Sequence, residues 1–180
     1  MIRKLFFITI LGLSTAFLNA QVFNTAEILK PVKFSVGVAP VYMNENLGII
    51  FMGGVGIKSG VDFSLKYAVL ENEDYFGADL EWKLLNQKKV DLSLTTGCHN
   101  YYDFGLDVSG NASFRIKSDI AFYTGLDMDL NFGSDLYIPI WIPVGIEIKL
   151  SKPVAFLFEA EIPLTEHAYP VIDGGFAFYF

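Results

Sequence analysis

The sequence predicts an all-β fold: an antiparallel up-and-down β-barrel of ten strands, with eight as the alternative count. Three observations carry this reading. Apolar residues alternate with small or polar ones at period 2 through most of the chain, so each segment presents two different faces. Hydrophobic residues make up 52% of the chain, yet no stretch after residue 20 is long enough for a membrane helix. The chain also ends on an alternating segment, Ile172 to Phe180. There Phe176, Phe178 and Phe180 point one way, and Gly175, Ala177 and Tyr179 the other.

The elements follow in order. Residues 1–20 read as a signal peptide, with Arg3 and Lys4 as its basic region and Leu5 to Leu13 as its apolar core. Leu18-Asn19-Ala20 supplies the cleavage site before Gln21, so residues 21–180 form one domain. Residues 21–31 do not alternate and end in Pro31; they are expected to be a lead-in with one helical turn from Thr25 to Lys30. Ten strands are then predicted at 32–42, 49–58, 61–70, 75–85, 90–98, 104–117, 119–132, 138–150, 153–162 and 171–180. Most match the roughly 9–11 residues that a tilted strand needs to cross a bilayer.

Four connections are short: Ser59-Gly60, Asn86 to Lys89, Ser118, and Ser151-Lys152. The other five are expected to be longer: Met43 to Gly48, Glu71 to Asp74, His99 to Asp103, Gly133 to Tyr137, and Pro163 to Pro170. Pro139 and Pro143 trouble the eighth segment, because each lacks a ladder N–H and a closed barrel has no edge to place it on. That strand is expected either to begin near Val144 above a bulge, or to leave Ile138 to Pro143 in a projecting loop. Pro40 raises a milder form of the same problem.

Side-chain size decides which face is outside. One face carries Phe34, Phe63, Leu65, Leu80, Phe122, Ile146 and Phe158, and no charged residue within the ten segments. The other carries Gly37, Gly97, Gly145, Ser35, Ser93 and Ser113, with charges such as Asp62, Lys66, Asp79, Glu81, Arg115, Asp127, Glu147 and Lys149. A bore of this size admits small and paired polar groups but not dozens of bulky ones. The bulky face is therefore expected to meet lipid, where charge is costly. Tyr42, Phe76, Phe104, Phe132 and Tyr169 toward one end, and Phe34, Trp82, Phe114, Phe156, Phe178 and Phe180 toward the other, suit two interfacial belts.

The leader, the alternation and the final aromatic strand ending on Phe180 together resemble small single-domain outer-membrane β-barrel proteins of Gram-negative type. The resemblance implies an outer-membrane location, outer-membrane lipids as surroundings, and recognition of the C-terminal strand by the barrel assembly machinery. Such families include adhesion and defence proteins, narrow pores, lipid-modifying enzymes and proteases.

Function is less legible. The chain has a formal net charge of −7, and losing Arg3 and Lys4 makes the remainder more acidic. That disfavours nucleic acid as a partner. Lone Cys98 cannot form an internal disulfide and reads as a small apolar residue. No nucleophile elbow, phosphate loop, dinucleotide fingerprint or metal-ligand spacing is present. The sequence therefore predicts no catalytic, cofactor-binding or metal residue, and no cofactor. The expected protein is a monomeric, non-enzymatic barrel with a filled or narrow lumen, using outer loops for surface interaction. Three alternatives stand beside it. A cation-favouring pore would use Asp127, Asp129, Glu159 and Glu161. An outer-rim hydrolase would use His99, near Asp103, or His167, next to Glu166. A soluble periplasmic ligand-binding barrel is the third.

Overall fold

The computed structural model describes residues 23–180; the expected leader and its cleavage site lie outside them. The strands are β1 (Phe34–Met43), β2 (Asn46–Lys58), β3 (Val61–Leu70), β4 (Tyr75–Asn86), β5 (Val90–Tyr101), β6 (Asp103–Arg115), β7 (Ile120–Phe132), β8 (Leu136–Tyr137), β9 (Ile140–Ser151), β10 (Val154–Pro163) and β11 (Val171–Tyr179). All pairings are antiparallel. β7 pairs with both β6 and β9, and β1 with β11, so ten strands close into a barrel. β8 only extends the end of β7. At the seam, Phe34 and Phe180 exchange backbone hydrogen bonds of 3.2 and 2.9 Å, so the last residue helps to close the cylinder.

The two faces fall as the alternation requires. Along β1, Ser35, Gly37 and Ala39 are buried toward the bore, while Phe34, Val36 and Val38 are exposed on the outer wall. Leu65 and Tyr67 on β3 and Phe176 and Phe178 on β11 are exposed in the same way. Asp62, Asp79, Glu81, Asp91, Glu147 and Glu159 are buried in the bore. Neighbouring rings meet on the outer wall: Phe104 and Phe132 lie 6.2 Å apart, and Phe156 and Phe176 lie 5.5 Å apart.

Pro143 and Pro40 are accommodated inside strands, whereas Pro139 lies in the connection before β9. β9 starts at Ile140 and runs through Pro143, neither beginning near Val144 nor leaving Pro143 in a loop. Its ladder to β10 is continuous from Glu147 to Trp141. Its ladder to β7 lapses between Thr124–Val144 and Asp127–Trp141 and resumes in the same register. The missing donor of Pro143 is thus confined to one neighbour. Pro40 behaves alike: it stays paired with Ile49 on β2, while pairing with β11 lapses between Val38–Phe176 and Val41–Asp173. Opposite that lapse the backbones crowd. A Cβ on Gly175 would lie 2.1 Å from the Val38 carbonyl oxygen and 2.6 Å from Ala39 Cα, so only glycine fits.

Two expectations about the connections are corrected. Met43 to Gly48 is not a loop: Asn44 and Glu45, both with positive φ, form a tight turn, and β2 begins at Asn46. Two left-handed residues are what a twisted two-residue hairpin needs, and Asn tolerates that region. His99 to Asp103 is not a loop either, because only Tyr102 (φ 57°) separates β5 from β6. The seven-residue connections are therefore limited to 133–139, which contains β8, and 164–170. The end bearing these connections is called the loop end below, and the opposite one the turn end.

The lead-in is corrected most. No helical turn forms between Thr25 and Lys30. Residues 23–29 instead run irregularly inside the bore, and Lys30, Pro31 and Val32 lie exposed at the turn end before β1. Phe23, Thr25, Ala26, Glu27, Ile28 and Leu29 are all buried. Phe23 and Leu29 pack with Ala39, Met52, Tyr123, Ala155, Leu157, Ala177 and Tyr179 of the wall. Burying such side chains contributes roughly 1.5–3 kcal/mol each.

The crowding at Gly175 gives a direct test. Gly175→Ala should destabilise the barrel by about 2 kcal/mol in urea unfolding. Gly53→Ala, whose added carbon would have no neighbour nearer than 4.0 Å, should change stability by less than about 0.5 kcal/mol.

Candidate functional site: the bore and its loop-end cavity

Polar contacts fix the segment inside the bore at several heights. Near the turn end, the Glu27 carboxylate accepts from Arg115 Nε at 3.0 Å and from Lys149 Nζ at 2.9 Å. Arg115 also pairs with Asp91. Leu29 N also donates to Asp62 Oδ2 (2.9 Å) and Ala26 N to Ser113 Oγ (2.8 Å). At its tip, Asn24 Nδ2 donates to Glu159 Oε1 (2.8 Å) and Glu161 Oε1 (3.1 Å), and Asn24 N to Glu159 Oε2 (3.2 Å). Burial alone would raise the Glu27 carboxyl, but Lys149 and Arg115 outweigh it and hold the group below its ordinary value of 4.5.

Above Phe23 and Asn24 lies a cavity of about 210 Å³ that reaches the loop end. Its wall carries Glu159, Glu161 and Asp173 on β10 and β11, Asp107, Asp127 and Asp129 on β6 and β7, and Asp79 on β4. Lys66 is the one lysine among the lining residues, and it is paired with Asp79 at 3.2 Å. Tyr75, Tyr101, Tyr102, Tyr137, Trp141 and Tyr169 supply aromatic surface toward the mouth. The strand register places acids face to face, Asp107 opposite Asp129 and Glu159 opposite Asp173.

Both acidic pairs singled out in the sequence, Asp127 with Asp129 and Glu159 with Glu161, thus line one cavity. The histidines part company. His99 lies in β5 with its ring buried in the wall. Its Nδ1 contacts Asp107, its Nε2 lies 2.8 Å from Asn131 Oδ1, and Tyr75 stacks on it at 5.8 Å. Asp103, expected beside it, instead meets the Tyr137 hydroxyl. His167 is exposed in the 164–170 connection, against the Tyr137 ring at 5.7 Å. Sequence reasoning missed the bore segment and the grouping of His99 with Asp107, Asp129 and Asn131. The second was recoverable, since extending the 90–98 alternation by one residue places His99 on the bore face.

No family model and no curated protein matches the chain. Solved structures resemble it in overall course. A KdgM porin in complex with disordered oligogalacturonate is 10% identical, with TM-score 0.49, over 83% of this chain and 99% of that one. A de novo designed transmembrane β-barrel is 14% identical, with TM-score 0.45, over 84% and 98%. The N-terminal β-barrel domain of Pseudomonas aeruginosa OprF is 12% identical, with TM-score 0.42, over 83% and 98%.

Glu27→Gln leaves Arg115 and Lys149 without their shared carboxylate and should cost about 3 kcal/mol at pH 7. Urea unfolding followed by tryptophan fluorescence reads this. Because the folded value is depressed, the Glu27 contribution is complete above pH 4.5 and is lost as the pH falls through the lower folded value. The gap between the native protein and Glu27→Gln should therefore close on acidification.

Proposed function

We propose that the chain is an integral outer-membrane β-barrel with no enzymatic role, its bore stopped from the turn end by residues 23–29, and its loop end used for surface interaction. The observation that carries this reading is the inversion of its faces. Large apolar side chains cover the outside of the cylinder, and ionisable groups, glycine and serine line the inside. In water that arrangement would expose a continuous apolar wall; in a bilayer it is the stable one. Strands of 9–13 residues, leaving aside the two-residue β8, suit the span. Phe180 at the seam supports recognition of the last strand by the assembly machinery, and a wall closed on itself supports a monomer surrounded by lipid.

A small cation-favouring pore is the second reading, favoured by the excess of carboxylates over Lys66 in the cavity. Residues 23–29 argue against it, because they occupy the path below the cavity. A hydrolase draws no support from the histidines, since His99 is engaged by Asp107 and Asn131 and His167 lies apart from that group.

Two measurements test the reading. Refolded in detergent, the protein should migrate differently on gels before and after boiling; a chain that remains monodisperse in water without detergent would refute the membrane barrel. In planar bilayers the intact barrel should give no steady single-channel current. Deletion of residues 23–31 should produce steady currents favouring cations. Steady currents from the intact protein would instead establish the pore.

A further inference from the structure

We propose that His99, Asp107 and Asp129 bind one divalent first-row transition-metal ion in the wall of the loop-end cavity. Their donor atoms, from β5, β6 and β7, lie within 4.8 Å of one another. His99 is 6% exposed, and the Asp107 and Asp129 side chains are 14% and 16% exposed. These are groups built into the wall, not a solvated surface patch.

The hydrogen bonding of the ring points to a positive centre. An amide oxygen only accepts, so the 2.8 Å contact with Asn131 Oδ1 assigns the ring hydrogen to His99 Nε2. Asp107 Oδ1 likewise only accepts, so without an ion Nδ1 also carries a hydrogen and donates it to Asp107; a metal ion would take that hydrogen's place. Asp129 Oδ2 lies 4.0 Å from the same nitrogen. The register sets these two acids directly opposite each other, an arrangement that is unfavourable without compensation. Lys66 is committed to Asp79. With the Nδ1 hydrogen displaced, the imidazole and the two carboxylates present three ligand groups to one cation.

The surroundings suit a ligating histidine. Asn131 fixes the tautomer as an outer-shell acceptor does for metal-bound imidazole. Tyr75 stacks on the ring with the planes 21° apart, holding its orientation. Gly105 makes room for the ring and its Asn131 contact, since a Cβ there would fall 2.4 Å from His99 Nε2 and 2.6 Å from Asn131 Oδ1. One imidazole with two carboxylates suits Zn²⁺-like ions over Mg²⁺ or Ca²⁺, which prefer oxygen ligands throughout. The acidic cavity supplies the approach. The inference stands on this geometry and is independent of the membrane assignment.

The test uses the full, untagged chain folded in detergent and stripped with chelator. Calorimetric titration with Zn²⁺ should give one ion per chain, undisturbed by excess Mg²⁺, and Co²⁺ should give a visible absorption band that Zn²⁺ displaces. His99→Gln and Asp129→Asn should each weaken Zn²⁺ binding at least tenfold, with His167→Ala unchanged. Gel mobility before boiling checks that each variant is folded; should His99→Gln fail to fold, the near-isosteric Asp129→Asn and Asp107→Asn decide the matter. A flat Zn²⁺ titration, binding undiminished by the Asp variants, or binding lost in His167→Ala would overturn the proposal.

Discussion

The width of a ten-stranded bore governs this molecule. Eight strands enclose a space that wall side chains can fill. Ten enclose more, and here the wall faces inward with glycine, serine and alanine at many positions. Void in a protein interior forfeits contacts on every atom that lines it. The chain resolves the shortage by placing its own residues 23–29 inside the cylinder. Phe23 and Leu29 find apolar partners there, among them Met52, Tyr123 and Leu157. The small residues of the wall are thus a fitted surface for that segment.

This dependence explains what was legible in the sequence and what was not. Strands of period 2 declare themselves wherever one face is bulky and the other is not, and the segments around Phe63, Phe122 and Phe158 were read within a few residues of their true ends. Segment 23–29 has no period because it is surrounded on all sides, and a short apolar run with one Glu in it reads as a lead-in. Its place follows only from a volume argument about the closed barrel. The turns failed for a local reason: Asn44-Glu45 and Tyr102 adopt left-handed backbone, which the polar composition of Met43 to Gly48 and His99 to Asp103 disguised as loops. Shortening the second of these moved His99 from an outer rim into the wall, and with it the chemistry expected there.

The prolines carry a related lesson. A proline in a closed sheet reads as a contradiction if a ladder is imagined as all or nothing. Pro40 and Pro143 each keep one neighbour and suspend pairing with the other for two residues, without losing register. The lapse beside Pro40 falls where Gly174 and Gly175 allow the backbones of β1 and β11 to approach. Closure of the barrel thus tolerates a missing donor when the opposing strand has no side chain in the way.

Charge divides the bore into two unlike halves. At the turn end, Arg115 and Lys149 converge on Glu27, with Asp91 and Glu147 beside them, so cations and carboxylates are interleaved and the segment is pinned. At the loop end the register sets carboxylate against carboxylate, with Asn24, Lys66 and His99 among them. A cation drawn in from the loop end meets attraction until it reaches Phe23 and Asn24, where the path is occupied. In the proposed stopped barrel, the same field that would speed conduction through an open bore would hold the ion above Phe23 and Asn24. Selectivity in a pore needs binding weak enough to release the ion onward; a stopped barrel with its acids buried above the stop favours retention instead. In this reading residues 23–29 turn the architecture of a channel into that of a receptacle, and the surplus of carboxylates at one end is part of its use.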